Sequence, residues 1–195
     1  MIQGQMLENS KRGSMLKSVI QEYKPKNIVE IGTWKGLGST MCILNAIDKN
    51  MHFISMETNL SFYEIAKKNL KNYLNDFKLL RGKIIESEDV LHFISDKNLT
   101  TEQQSWLKED LDNMNTSENI YNQLPKVIDF LLLDGGEFST YPEWLKLKDK
   151  TIIVALDDIR ELKCNQIYRE LLNDSNYSLL EETSEGNGFC IFIKK

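Results

Sequence analysis

The stretch "IVEIGTWKGLGST", residues 28–40, begins as an apolar run, reaches a carboxylate and passes into a loop with three glycines within seven positions. A strand followed by a glycine-rich turn and the start of a helix is the arrangement at which open α/β sheets bind their ligands. The stretch therefore predicts an α/β fold with a ligand-binding loop directly after the first strand.

The remainder of the chain repeats the alternation of short apolar runs with segments of helical period. The apolar runs predict strands at 27–32, 51–57, 78–82, 127–134 and 151–158. Helices are predicted at about 38–48, 60–74, 86–96, 139–148 and 161–173, with another at about 11–23. This order is typical of a Rossmann-like three-layer αβα sandwich with a mostly parallel sheet. Residues 176–195, with a turn at 186–188, predict a hairpin that adds an antiparallel strand.

Residues 95–126 do not follow this alternation and form a mostly polar insertion. A helix is predicted within it, because Thr100 and Gln103 resemble a capping box and three apolar residues after them recur at helical spacing. The insertion has two interpretations: a polar surface segment, or a lid or oligomer contact beside the ligand crevice. With an N-terminal helical segment at 1–25, the whole chain, residues 1–195, is predicted to be a single domain.

The overall composition, 41% apolar and 27% charged in 195 residues, is that of an ordinary globular protein. The formal net charge of -5, with scattered lysines, argues against a nucleic-acid partner, which requires clustered Lys and Arg. Three cysteines without CxxC spacing predict neither a disulfide framework nor a zinc site. No apolar run approaches the roughly 20 residues that span a bilayer. The sequence therefore predicts a cytoplasmic protein without a membrane partner.

The spacing of the loop glycines excludes two phosphate-binding loops. A dinucleotide fingerprint has a glycine two positions after the first, but Trp34 stands two positions after Gly32. A P-loop has its second glycine five positions after the first, and this chain has Leu37 there. The loop is therefore not expected to hold a diphosphate.

Two carboxylates at strand ends indicate the kind of ligand. Glu30 lies two residues before Gly32, and we expect its carboxylate to face the ligand, repelling a diphosphate and attracting a cation. S-adenosylmethionine fits, since it carries a sulfonium and an ammonium group and no phosphate. Glu57 ends the second predicted strand, at the offset where a carboxylate binds ribose hydroxyls. Residues 57–61 contain no basic side chain for a 2′-phosphate, which disfavours NADP.

Four segments resemble class I S-adenosylmethionine-dependent methyltransferases: "VEIGTWKGLGS" (29–39), "RGKIIES" (81–87), "LLLDGGEFSTY" (131–141) and "ALDDI" (155–159). The resemblance covers nearly the whole chain and is closest to the macrocin-type sugar O-methyltransferases and their relatives. It implies a seven-stranded sheet with the last strand antiparallel, and a methyltransferase activity (EC 2.1.1).

Matched position by position, the resemblance implies a cofactor site along the first strand and its loop. The methionine half of the cofactor would be surrounded by Glu30, Gly32, Thr33, Trp34, Gly36 and Gly38, with Asp134 opposite. Ser39 would bind the methionine carboxylate, and Glu57 would bind the ribose hydroxyls. Lys83 and Ile84, after the third strand, would lie near the adenine.

A metal site is one expectation for the ends of the fourth and fifth strands. Asp134, Asp157 and Asp158 converge there if the strands are neighbours, and a hard divalent cation such as Mg²⁺ would offset their repulsion. The resemblance implies magnesium at the same positions. Two departures from the family pattern count against it: Gly136 replaces a second acidic residue, and Ile159 replaces an aromatic one. The alternative expectation is that no metal binds and that Asp134 simply lines the pocket.

The expected reaction is O-methylation of a small polyhydroxylated acceptor such as a sugar or a glycan precursor. Asp134 is the first candidate for the general base if a metal is present, and Lys163 is the second, provided that burial or neighbouring charge lowers its pKa. The alternatives are a metal-independent methyltransferase of the same fold and a non-catalytic S-adenosylmethionine-binding module. An NAD-linked oxidoreductase is disfavoured by Trp34 and Glu30. A homo-oligomer is compatible with the sequence.

Overall fold

The structure is a computed structural model, and it describes residues 6–195. The strands in this part are β1 (Asn27–Ile31), β2 (His52–Glu57), β3 (Lys78–Arg81), β4 (Ile128–Leu133), β5 (Thr151–Asp157), β6 (Tyr177–Thr183) and β7 (Phe189–Lys194). The helices are α1 (Lys11–Tyr23), α2 (Ser39–Leu44), α3 (Leu60–Asn69), α4 (Ser87–Ile94), α5 (Thr101–Asn115), α6 (Thr140–Leu147) and α7 (Leu162–Asn173). Short 3-10 helices occur at Tyr121–Gln123 and Lys148–Lys150.

The strands form one sheet in the order β3-β2-β1-β4-β5-β7-β6. β1 to β5 are parallel, and β7 runs antiparallel to both β5 and β6. The predicted mostly parallel sheet with an antiparallel last strand is therefore confirmed, together with the C-terminal hairpin. The chain winds from β1 outward to β3 and then restarts at β4 on the other side of β1. The carboxyl ends of β1 and β4 consequently border a crevice.

Helices cover both faces of the sheet, and the strand sequences reflect this. Side chains of β4 point alternately to the two faces, so that Leu131 and Leu133 join one apolar core while Phe130 and Leu132 join the other. All four are fully buried. One core includes apolar residues of α4, α5, α6 and α7, and the other includes residues of α1, α2 and α3. A strand buried on both faces must be apolar throughout, which explains the continuous run in the sequence.

Two helices are shorter than predicted. α2 ends at Leu44, and the chain enters β2 through a turn in which the Asn50 N–H donates to Asp48 Oδ1 at 2.8 Å. α3 ends at Asn69, and separate turns replace the rest of the predicted helix, the first closed by the Tyr73 N–H and the Leu70 carbonyl at 2.8 Å. At both places the chain forms turns, although the spacing of apolar residues predicted that the helix continues.

The insertion contains the predicted helix as α5, which begins after the capping box of Thr100 and Gln103. After α5 the chain pairs with the segment that follows β3. The Lys83 N–H donates to the Glu118 carbonyl at 2.9 Å, and the Ile120 N–H donates to the Lys83 carbonyl at 2.8 Å. This pairing holds α5 beside the carboxyl ends of β1 and β2.

α1 has the predicted bounds, and the Ser10 side chain caps it by accepting the Gly13 N–H at 3.0 Å. Arg12, in its first turn, is buried and reaches β5. Within residues 6–195, no helix combines the length and the apolar character needed to cross a bilayer. The three cysteines are free and buried.

Candidate active site

Gly32 brings the carboxyl ends of β1 and β4 together. Its φ of 98° is in the left-handed region, and an added Cβ would lie 2.1 Å from the carbonyl oxygen of Asp134. The Asp134 N–H donates to the Ile31 carbonyl at 2.9 Å, which extends the pairing of the two strands beyond their last residues. The close backbone approach therefore requires the first loop glycine, and it fixes Asp134 beside the loop.

Glu57 holds the loop after β1 in place. Its Oε2 accepts the Trp34 N–H at 2.7 Å, and its Oε1 accepts the Asn59 N–H at 2.8 Å. Burial raises the pKa of Glu57 to about 6, although these hydrogen bonds oppose the shift. Trp34 itself has a φ of 49°, unusual for a residue other than glycine, and its ring meets Phe62 edge-on at 6.1 Å between centroids. A carboxylate anchored in this way is oriented to accept further hydrogen bonds from a ligand.

The Glu30 carboxylate does not face a ligand, and this part of the prediction is wrong. Glu30 is fully buried beneath the loop, where its Oε1 accepts from the Ser39 hydroxyl at 2.6 Å. Its Oε2 accepts from the hydroxyls of Thr40, at 2.7 Å, and Ser55. Side chains alternate along a strand, and that of Glu30 points into the layer between the sheet and α2. Glu30 therefore fixes the start of α2, and its contribution to a ligand site is indirect.

Two adjoining cavities lie at the carboxyl edge of the sheet. The first, which we name the α5 cavity, measures about 200 Å³ and is lined among others by Glu57, Phe62, Asp110, Met114 and Glu143. The second, the aspartate cavity, measures about 280 Å³ and is lined among others by Thr33, Gly38, Ser39, Asp157, Asp158 and Lys163. Both cavities are also lined by Gly32, Trp34, Asp134 and Gly135. The close approach of β1 and β4 is therefore the junction of the two cavities.

Four of the predicted site residues do not line either cavity, namely Glu30, Gly36, Lys83 and Ile84. Lys83 pairs with the return of the insertion through its backbone, and its ammonium group contacts Glu86. Ile84 is fully buried in the apolar core. The insertion pairs with this segment, and residues of α5 line the cavity in which Lys83 and Ile84 take no part.

Glu109, Asp110 and Glu143 are the acidic residues of the α5 cavity that the sequence did not reveal as site residues. Burial raises the pKa of Asp110 to about 6 and that of Glu143 to about 8. Glu143 is 3% exposed, and within the described residues its Oε2 has no hydrogen-bond partner. Asp110 stands four residues before the buried Met114 on α5, so its position on the inward face was readable from the helical spacing. Glu143 lies in α6, and nothing in the sequence of that helix indicated that this residue faces the cavity.

Three carboxylates converge in the aspartate cavity, as expected for neighbouring β4 and β5. One oxygen from each of Asp134, Asp157 and Asp158 lies within 4.8 Å of the others. The chain supplies two cations to this cluster. Lys163 Nζ lies 2.8 Å from Asp134 Oδ1 and 2.7 Å from Asp158 Oδ2. Arg12 Nη1 donates to Asp157 Oδ1 at 2.9 Å.

Lys163 is protonated in this environment. Burial alone would lower its pKa, but Asp134 and the other aspartates outweigh burial and hold that pKa well above its ordinary value. The lowered pKa that a lysine base would need is therefore absent, and Lys163 acts here as a hydrogen-bond donor. Burial raises the pKa of Asp134 despite the opposing effect of Lys163, which suits a proton acceptor.

The donor set fits a hard divalent cation in kind. Carboxylate oxygens are ligands of Mg²⁺, and opposite ligands in an octahedral site lie about 4.2 Å apart, since each Mg–O distance is about 2.1 Å. The separations within the cluster, up to 4.8 Å, are close to that value. Lys163 Nζ, however, already bridges two of the three aspartates, so an ion between them would have to displace it. Lys163 and a divalent ion are therefore alternatives at this position.

No family model matches the sequence, whereas several solved structures share the fold. The O-methyltransferase from Bacillus cereus in complex with S-adenosylhomocysteine is 17% identical, with a TM-score of 0.64, covering 96% of this chain and 82% of that one. The O-methyltransferase TomG from Streptomyces achromogenes, involved in tomaymycin synthesis and solved with S-adenosylmethionine, is 15% identical, with a TM-score of 0.61, covering 94% and 79%. The methyltransferase PaMTH1 from Podospora anserina, solved with S-adenosylhomocysteine, is 13% identical, with a TM-score of 0.61, covering 94% and 77%.

These identities are low, and the likeness therefore concerns the fold. The three structures do not single out the macrocin-type sugar enzymes, so that finer resemblance stays a prediction. The chain has the fold of the O-methyltransferases that it matches over almost its full length.

Proposed function

We propose that this chain is an S-adenosylmethionine-dependent methyltransferase that acts on a hydroxyl group of a small polyhydroxylated acceptor, such as a sugar or a glycan precursor. The observation that carries the proposal is the meeting of two acidic cavities at Gly32 and Asp134. Such a junction favours a sulfonium cation and repels phosphates. The likeness in fold to methyltransferases solved with S-adenosylmethionine or S-adenosylhomocysteine supports the same conclusion.

The cofactor would extend across both cavities. Its adenosine half would occupy the α5 cavity, where Glu57 accepts hydrogen bonds from the ribose hydroxyls. Its methionine half would follow the loop after β1 toward Thr33, Gly38 and Ser39, which line the aspartate cavity. The sulfonium would then lie near Asp134, at the junction. Glu30 supports this site from beneath, through its hydrogen bonds to the start of α2.

The acceptor would bind in the aspartate cavity with its hydroxyl groups toward the carboxylates. Within the described residues, Oδ1 of Asp158 is buried without a hydrogen-bond partner, and a hydroxyl of a polyol would satisfy it. Asp134 would accept the proton of the attacking hydroxyl, while a bond forms from that oxygen to the methyl carbon and the carbon–sulfur bond breaks. Lys163 keeps its proton and orients Asp134 and Asp158 by donating to both.

Magnesium at Asp134, Asp157 and Asp158 is the alternative arrangement of the same enzyme. An ion at this place polarises a bound hydroxyl and lowers its pKa. The three aspartates would hold it, and Lys163 would have to withdraw. The bridging position of Lys163 favours the metal-independent arrangement.

A non-catalytic S-adenosylmethionine-binding module is the second candidate function. The observation in its favour is that Arg12 and Lys163 already engage all three aspartates, which reduces their capacity to act on an acceptor.

Transfer of a labelled methyl group from S-adenosylmethionine to a panel of sugars, glycan precursors and catechols tests the proposal. We expect a methylated sugar-type product, and Asp134→Asn should reduce turnover about a hundredfold or more, as is usual when a general base is lost. Binding of the cofactor without turnover of any acceptor would favour the module. Turnover of catechols alone would contradict the polyhydroxylated acceptor.

A further inference from the structure

The α5 cavity holds acidic groups that the ribose does not use. Besides Glu57 and Asp134 it is lined by Glu109 and Asp110 of α5 and by Glu143 of α6, and its described lining residues include neither lysine nor arginine. Glu143 is 3% exposed, and Oε2 of this residue makes no hydrogen bond within residues 6–195. A buried polar atom without a partner costs free energy, so its retention in a cavity indicates a ligand that completes it.

Asp110 and Glu143 approach the same stretch of backbone, at the carboxyl end of β4. An added Cβ at Gly136 would lie 2.9 Å from Asp110 Oδ2, and one at Gly135 would lie 3.3 Å from Glu143 Oε2. Because neither glycine has a side chain, both carboxyl groups can lie against this stretch of backbone at the edge of the cavity. A side chain at Gly136 would close the space in front of Asp110.

The cavity also offers flat apolar surfaces. Ile31, Phe62 and Met114 line it together with the carboxyl groups. This combination suits a planar heterocycle that packs against the apolar side chains and directs polar atoms of its edge toward the carboxyl groups. The aspartate cluster is the only metal-type grouping of carboxylates among the described residues, which argues against a metal ion bound by Asp110 and Glu143.

Adenine has a matching edge, because its exocyclic amino group is a donor and the neighbouring ring nitrogen is an acceptor. A carboxylate accepts from the amino group, and a protonated carboxyl group donates to the ring nitrogen. The pKa of about 8 for Glu143 and of about 6 for Asp110 is consistent with one protonated and one ionised group near neutral pH.

We propose that Asp110 and Glu143 recognise the amino edge of the cofactor's adenine, and that the insertion helix α5 is therefore part of the adenine site. This inference rests on the proposed function. It assigns to the insertion the role that the family resemblance implied for Lys83 and Ile84.

The test compares two ligands that differ only at this edge of the base. S-inosylhomocysteine carries a carbonyl group in place of the amino group and a ring N–H in place of the acceptor nitrogen, so its donors and acceptors are reversed. Calorimetry should show that the wild-type protein binds S-adenosylhomocysteine about tenfold or more tightly than the inosine analogue, since unpaired buried polar groups oppose the latter.

Asp110→Asn should reduce that preference about tenfold, because the amide can donate to the carbonyl of the analogue. Glu143→Leu should weaken S-adenosylhomocysteine about tenfold, and Glu143→Gln, which keeps a donor, should restore most of the affinity. Asp112→Asn is the matched control: Asp112 is an exposed acidic residue of α5 that is not among the residues lining the cavity, and the preference should not change.

The ratio of two affinities on one variant is insensitive to a partial loss of folded protein. An adenine preference that persists unchanged in Asp110→Asn and Glu143→Leu, with S-adenosylhomocysteine still bound, would overturn the inference and leave the proposed function standing. Failure of the wild-type protein to bind either nucleoside would overturn both.

Discussion

Both cavities are lined by several carboxylates, but they balance these charges differently. In the aspartate cavity, the buried Lys163 and Arg12 pair with the aspartates within hydrogen-bonding distance. In the α5 cavity, the described lining residues include no cation, and burial raises the pKa of Glu57, Asp110 and Glu143. Acidic residues at one sheet edge thus have two uses here. Internal cations pair with one set, whereas the other set has no lysine or arginine among its lining residues and remains available for hydrogen bonds to a ligand.

The largest effect is expected from Lys163→Met. Removal of the ammonium group would leave the partly buried Asp134 and Asp158 without compensation, and loss of one partner of a fully buried ion pair costs about 3–5 kcal/mol in other proteins. We expect a loss of that size in the free energy of unfolding, measured in urea, and loss of methyl transfer.

Lys17→Met is the control for this prediction. Lys17 pairs with Glu8 at 3.3 Å, but both side chains are well exposed, so its removal should cost less than about 1 kcal/mol. Equal costs for the two variants would show that Lys163 does not compensate the aspartates.

A smaller effect, which depends on pH, is expected from Glu143→Gln in the α5 cavity. The pKa of Glu143 is raised from 4.5 to about 8, so between these pH values the unfolded chain has released a proton that the folded protein still holds. The stability of the wild-type protein therefore falls as pH rises through this window, and it levels off above pH 8. Gln does not ionise, so the variant should be more stable than the wild type by an amount that grows from pH 4.5 to 8.

Urea unfolding of both proteins across this pH range provides the measurement. If the free energies of unfolding of Glu143→Gln and the wild type differed by the same amount at every pH, the raised pKa of Glu143 would be contradicted.

The smallest effect is expected from removal of divalent ions. With Lys163 bridging Asp134 and Asp158, chelation by EDTA should change methyl transfer less than about twofold, because the positive charge belongs to the chain. The assay is turnover with and without chelator. A large loss that added Mg²⁺ restores would establish the magnesium arrangement in place of the Lys163 one.

The features that local sequence encodes were predicted well. The loop after β1 follows from its glycines, and the capping box at Thr100 gave the start of α5 correctly. The convergence of the aspartates was predicted on the condition that their strands are neighbours, and β4 and β5 do pair. These features depend on residues close together in the chain or on general rules of α/β topology.

The features that were missed depend on contacts between distant parts of the chain. Arg12 reaches Asp157 across 145 positions, and nothing in the first helix marks it as the partner of a strand-end carboxylate. The inward orientation of Glu30 depends on the hydroxyls of α2 and Ser55. The docking of α5 depends on backbone pairing with Lys83, which no side-chain pattern reveals.

Calorimetric titration of the wild-type protein with S-adenosylhomocysteine, and in parallel with NAD, tests the central claim most directly. We expect S-adenosylhomocysteine to bind at one site with micromolar or tighter affinity. NAD should not bind measurably, because the junction at Asp134 and the α5 cavity would present carboxylates to its diphosphate. Binding of NAD without binding of S-adenosylhomocysteine would contradict the claim.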